Sequence, residues 1–176
     1  EVIFNGPEGR LEGRYHPSDN PQAPCALILP PHPKAGGHMD HRITVTMYEQ
    51  YKARGFSVLR FNFRGVGRSV GEYDNGQGEL QDAAYAMDYI QSFNQNAPFT
   101  WVSGYSFGAW IGMQLLMRRP EVSGFISMSL PTNTYDFAFL APCPASGLIT
   151  YGSQDPIVPA DEVDNVVEKI RVQKGH

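Results

Sequence analysis

The stretch Trp101-Val102-Ser103-Gly104-Tyr105-Ser106-Phe107-Gly108-Ala109-Trp110 constrains this chain more than any other. Residues 99–103 form a short apolar run that reads as a buried strand stopping at Gly104. From Ser106 onward the pattern turns helical, through Phe107, Ala109, Trp110, Ile111, Met113, Leu115, Leu116 and Met117. Between the two lies G-x-S-x-G with Ser106 at its centre. A serine on a sharp strand-to-helix turn stands exposed at the sheet's edge, and glycines two residues to either side let the backbones pass closely. The helix start beneath it favours developing negative charge, and the Phe107 N–H can stabilise an oxyanion. The bare pattern also suits an ordinary Gly/Ser turn. Its context, strand before and apolar helix after, makes Ser106 a candidate nucleophile on an elbow.

The chain has 176 residues, of which 41% are hydrophobic, enough for one domain, 1–176, with its own core. A net charge of −4 with no basic run argues against a nucleic-acid partner. No apolar stretch approaches the ~20 residues of a membrane span. No signal-peptide pattern opens the chain, which begins at Glu1. Cys25 and Cys143 both sit in apolar surroundings, so buried free thiols and a cytoplasmic location are expected.

Taken in order, residues 2–4 and 11–15 flank Gly6-Pro7-Glu8-Gly9 and read as an antiparallel hairpin. A strand at 26–29 runs into Pro30-Pro31-His32-Pro33-Lys34-Ala35-Gly36-Gly37. A helix follows with Ile43, Met47, Tyr48 and Tyr51 on one face and Gly55 as its stop. A strand at 56–61 enters Arg64-Gly65-Val66-Gly67-Arg68-Ser69-Val70-Gly71. After a loop through Gly78, a second helix carries Leu80, Ala83, Met87 and Ile90. Beyond the elbow, strands are expected at 124–128 and 147–151, then a last helix with Val163, Val166, Val167 and Ile170 that stops at Gly175. Strand alternating with helix predicts an α/β, doubly wound, mostly parallel sheet with helices on both faces and an antiparallel hairpin at its start.

Asp155 follows the strand at 147–151, so it and Ser106 both lie at strand carboxyl ends, where doubly wound sheets gather ligands. Alone, Asp155 would be read as bonding within its own loop. Beside Ser106 it is a candidate triad acid. His38 and His41 at a helix start, with Asp40, could suggest a metal, but no further ligand stands at recognisable spacing, so a solvated helix start is preferred and no metal or cofactor is expected. Gly65-Val66-Gly67 could suggest a dinucleotide loop, yet no helix begins within the glycine run, and a tight turn is preferred. Arg118-Arg119 reads as charge complementing a helix C-terminus.

These marks together resemble the α/β-hydrolases, and within them the small lid-less bacterial members near the dienelactone hydrolases. The resemblance rests on Pro31-His32-Pro33 with Gly36-Gly37, the Arg64–Gly71 run, Gly104-Tyr105-Ser106-Phe107-Gly108 and Gly152-Ser153-Gln154-Asp155-x-x-Val158-Pro159. It implies Ser106 as nucleophile, Asp155 as acid, and an oxyanion hole from the Phe107 N–H and one N–H of the His32–Lys34 loop, with Lys34 favoured. It also implies a general-base His in the loop after one further strand. His176 sits where that strand should begin, so the base, with a last strand and helix, is expected beyond residue 176. His32 is expected to hold the geometry of its loop.

The expectation is a serine hydrolase acting on an ester or related acyl bond of a small molecule, with only the loop 130–144 as room for a lid. A non-catalytic ligand- or partner-binding module of the same fold, and an acyltransferase using the same Ser106, are the alternatives. Self-association into a homo-oligomer is left open.

Overall fold

The computed structural model describes residues 1–131, 134–136, 139 and 145–150. The strands are β1 (Val2–Gly6), β2 (Gly9–His16), β3 (Cys25–Leu29), β4 (Ser57–Phe61), β5 (Thr100–Tyr105), β6 (Val122–Met128) and β7 (Ser146–Thr150). The α-helices among the described residues are α1 (Arg42–Ala53), α2 (Gln77–Ser92) and α3 (Phe107–Arg118). The strands form one sheet in the order β1-β2-β4-β3-β5-β6-β7. From β4 to β7 all neighbours are parallel, while β1 and β2 pair antiparallel and β2 meets β4 antiparallel. The α/β architecture with its N-terminal hairpin is therefore as the residue pattern anticipates.

Strand β3 is buried along its whole length, and its alternating side chains feed two separate cores. Ala26 and Ile28 pack with Met47, Tyr48 and Tyr51 of α1 on one face. Leu27 and Leu29 pack with Ala83, Met87 and Ile90 of α2 and Ile111 and Leu115 of α3 on the other. A buried hydrogen bond of 2.5 Å between the Tyr51 and Ser103 hydroxyls pins α1 to β5. Burial pushes the Tyr51 phenol up to about 12, so it stays neutral. Cys25 is a free, buried thiol; Cys143 lies outside the described residues.

Two boundaries differ from the sequence reading for identifiable reasons. Helix α2 begins at Gln77, so Gly78 is helical and not loop. The Glu79 carboxylate reaches back to the N–H groups of Asp74 at 2.9 Å and Gly76 at 2.8 Å, which caps the helix earlier than its apolar face reveals. Strand β5 runs one residue past Gly104, because Tyr105 still pairs with Met128 of β6.

The loop after β4 is held by buried charge. Arg64 donates through Nε and Nη2 to the Asp82 carboxylate at 2.9–3.2 Å, and its backbone N–H donates to Asp82 Oδ2 at 3.0 Å. Arg64 is 5% and Asp82 0% exposed at the side chain. Farther along the loop, Glu12 Oε1 accepts from Asn62 Nδ2 at 2.8 Å and from the Arg68 N–H at 2.7 Å. A Cβ on Gly67, whose φ is +56°, would fall 2.0 Å from that same Oε1. The glycine run thus serves a turn around a buried carboxylate, in keeping with the turn reading over the dinucleotide one. Asp82→Ala would leave the Arg64 charge buried without its partner and should destabilise the fold by about 3–5 kcal/mol in urea unfolding, whereas Arg64→Met combined with Asp82→Leu should recover most of that loss. An Asp82→Ala loss below ~1 kcal/mol would mean that solvent or another group replaces the pair.

Candidate active site

Because β4 lies on one side of β3 and β5 on the other, the winding reverses between β3 and β5 and a crevice opens at their carboxyl ends. The loop after β3 and the turn after β5 form its two lips. At the second lip Ser106 has φ +55° and ψ −112°, a conformation costly for any residue with a side chain. The surroundings enforce it. The Ser106 N–H donates to the Met128 carbonyl at 2.8 Å, and the Ser106 carbonyl accepts the Trp110 N–H at 3.1 Å as α3 begins. The flanking glycines are required by contact: a Cβ on Gly104 would lie 2.3 Å from the Gly108 carbonyl carbon, and one on Gly108 would lie 2.2 Å from the Leu29 carbonyl oxygen. The turn therefore presses directly on the end of β3 and fixes one lip against the other.

The Ser106 side chain opens onto a cavity of about 380 Å³, lined on the β3 side by Pro31, His32, Ala35, Gly36 and Gly37, and elsewhere by His41, Tyr105, Phe107, Pro131, Thr134 and Tyr135. The Phe107 N–H stands in the first turn of α3, where no intrahelical acceptor is available and the helix dipole favours negative charge. A hydroxyl and a helix-start N–H thus stand next to one another at the cavity.

His32 holds the first lip together. Its Nδ1 accepts the Lys34 N–H at 3.0 Å, and its Nε2 faces the Tyr73 hydroxyl at 3.1 Å. Its ring packs on Phe107 at 4.8 Å and Tyr73 at 5.1 Å. The Lys34 N–H, which the family resemblance implies as an oxyanion donor, is bonded here to the His32 ring. Lys34 lines a neighbouring cavity with Pro33, Arg64 and Tyr73, and not the one that holds Ser106.

His41, read from sequence as part of a solvated helix start, instead forms part of the cavity wall. It caps α1 by accepting the Ile43 N–H at Nδ1, 3.2 Å away, and stacks on Tyr105 with ring centroids 5.1 Å apart. Local sequence signalled the helix start but neither the cap nor the wall, since Tyr105 meets His41 only when β5 lies beside the loop leading into α1. Asp155 and His176 lie outside the described residues.

A family model described as the α/β hydrolase fold matches residues 35–145. The chain belongs to this family. An uncharacterised protein of Rickettsia prowazekii is 50% identical over the whole of this chain, which spans 75% of that protein. A protein of unknown function from Agrobacterium tumefaciens superposes with a TM-score of 0.95 at 58% identity, over 98% of this chain and 79% of its own. An α/β serine hydrolase homologue from Coxiella burnetii superposes with a TM-score of 0.89 at 32% identity, over 96% of this chain and 81% of its own. Ser106, the residue with the strained backbone, lies within the stretch that this α/β-hydrolase shares with the family.

That strain is measurable. Ser106→Gly should relieve it and raise stability by about 1 kcal/mol, or roughly 2–4 °C in Tm, whereas Gly108→Ala should lower Tm by more than that. A Ser106→Gly protein that melts below the parent would show the turn to be unstrained. Burial, partly opposed by Glu79, holds the His32 imidazole below its ordinary value. The folded state therefore favours the neutral ring, which keeps the Lys34 N–H bond. As pH falls through the ordinary histidine range near ~6.5 the unfolded chain protonates first, and stability declines until the lower folded value is passed. An NMR titration should place the His32 midpoint below ~6.5; a midpoint above it would contradict the buried, accepting ring.

Proposed function

We infer that this protein is a serine hydrolase that cleaves an ester or related acyl bond of a small molecule. The observation that carries the reading is Ser106 itself: a hydroxyl held in a costly backbone conformation, at the mouth of a cavity, one residue before a helix start. Ser106 Oγ attacks the acyl carbonyl, and the Phe107 N–H stabilises the oxygen that becomes negative. Asp155 is the proposed triad acid, orienting a general-base histidine C-terminal to it that takes the Ser106 proton and returns it to the leaving group. Water then clears the acyl-enzyme. A second oxyanion donor is assigned to the 32–37 loop; the Lys34 N–H could serve only after releasing His32. No metal or cofactor enters this scheme.

The alternative of a pure binding module is less well supported, because a module that only binds gains nothing from a strained serine over a relaxed glycine at position 106. An acyltransferase would use the same acyl-enzyme and differ only in the acceptor.

The full-length protein should form one covalent adduct with a fluorophosphonate probe, mapped by mass spectrometry to Ser106. Ser106→Ala should lose both the adduct and at least about a thousandfold of ester turnover while keeping its fold. Asp155→Asn should lower kcat by about 10²–10⁴-fold with little change in KM. Undiminished turnover in Ser106→Ala would sink the assignment, and an unaffected Asp155→Asn would return Asp155 to its own loop.

A further inference from the structure

The cavity at Ser106 has aromatic groups on two sides that belong to different halves of the molecule. Tyr105 packs with the core on the α1 face of the sheet, while Phe107 and Tyr135 pack with the core on the α2 and α3 face. Chain alternation at the elbow produces this division, because residues 105 and 107 leave the serine in opposite directions. On the second side Tyr135 stacks flat on Trp110, with centroids 3.8 Å apart and an interplanar angle of 4°. On the first side Tyr105 and His41 lie nearly parallel, at 22°.

The His41–Tyr105 pair is set before any ligand arrives. Tyr105 is the last paired residue of β5, so its backbone is placed by the sheet. The His41 ring is held by the Ile43 N–H on Nδ1. Burial, reinforced by His38 and Arg42, keeps that ring below the ordinary histidine value, so it is an uncharged flat surface at neutral pH. No lysine or arginine side chain lines the cavity among the described residues, so this part of the wall offers an anionic group no counter-charge. A preorganised flat, uncharged wall loses little freedom on binding and suits a planar apolar group.

We propose that the His41 ring, backed on one face by Tyr105, offers its other face as a stacking platform that makes the site selective for substrates carrying an uncharged aromatic ring. The proposal takes the Ser106 cavity as the acyl-transfer site argued above, and it adds His41 as a specificity-determining residue. Asparagine at position 41 separates its two roles, since Asn caps helices well but offers no ring.

The test uses two matched ester pairs: benzyl acetate with cyclohexylmethyl acetate, and methyl phenylacetate with methyl cyclohexylacetate. Within each pair the leaving alcohols are of similar basicity and the saturated ring is the more apolar, so tighter binding of the aromatic member reads ring stacking and not apolar burial. Ligand-observed NMR titration of Ser106→Ala isolates the platform from the chemistry. The aromatic member of at least one pair should bind about 3- to 10-fold more tightly, and which pair shows the margin tells whether the ring sits on the alcohol or the acyl side. In Ser106→Ala/His41→Asn that margin should collapse, with Tm within about 3 °C of the parent. Ser106→Ala/Tyr105→Leu should collapse it from the other ring. Equal affinities within both pairs, or a margin that survives both ring removals, overturn the proposal. Turnover of the same esters by the unaltered protein is read separately. Aromatic preference without turnover would sink the hydrolase reading and leave the platform standing; turnover without preference would do the reverse.

Discussion

Three backbones meet at the turn after β5, and the rest of the site depends on how closely they approach. Gly104 lies against Gly108, and Gly108 lies against the Leu29 carbonyl at the end of β3, with no room for a methyl group at either glycine. Ser106 sits between them with φ at +55°. Such a turn is costly in isolation and persists because the sheet on one side and α3 on the other determine it. The same contacts bring the elbow against the loop after β3, so Ser106 and the wall that faces it are positioned by one packing event.

The loops around this turn are stiffened by short polar bonds. His32, His38 and His41 each accept, through Nδ1, the N–H two residues further on, from Lys34, Asp40 and Ile43. Each imidazole thereby bonds within its own loop, and His32 and His41 also line the cavity. Below them, buried carboxylates hold the glycine-rich loop after β4: Glu12 from β2 and Asp82 from α2. Asp82 is paired with Arg64, and Glu12 accepts hydrogen bonds from Asn62 Nδ2 and the Arg68 N–H, as burial requires. The site is thus a rigid frame with an aromatic interior, consistent with a catalyst that relies on preorganisation.

Much of this was legible in the residues. The strand-to-helix switch at Ser106, the alternation of strands and helices, the hairpin through Gly6 and Gly9, and a loop-holding His32 all follow from local pattern, and the structure shows each. The less legible features share a cause. Glu79 caps α2 from the third position of the helix, which moved its start ahead of its first apolar residue. The Lys34 N–H appeared free because a ring accepting from two residues away is invisible to periodicity. His41 looked solvated because its neighbour Tyr105 is distant in sequence and adjacent only across the crevice.

The sequence by itself determined the class of the fold and singled out Ser106 as the candidate nucleophile, since both rest on short-range rules: apolar period, turn glycines and the strand–Ser–helix context. Only the tertiary structure decided which strands are neighbours. The order β4-β3-β5 places the reversal of winding, and hence the crevice, between the His32 loop and Ser106. It also decided which aromatic rings face one another across that crevice. Contacts of that kind come from packing two cores on opposite faces of one sheet, and no local pattern encodes them.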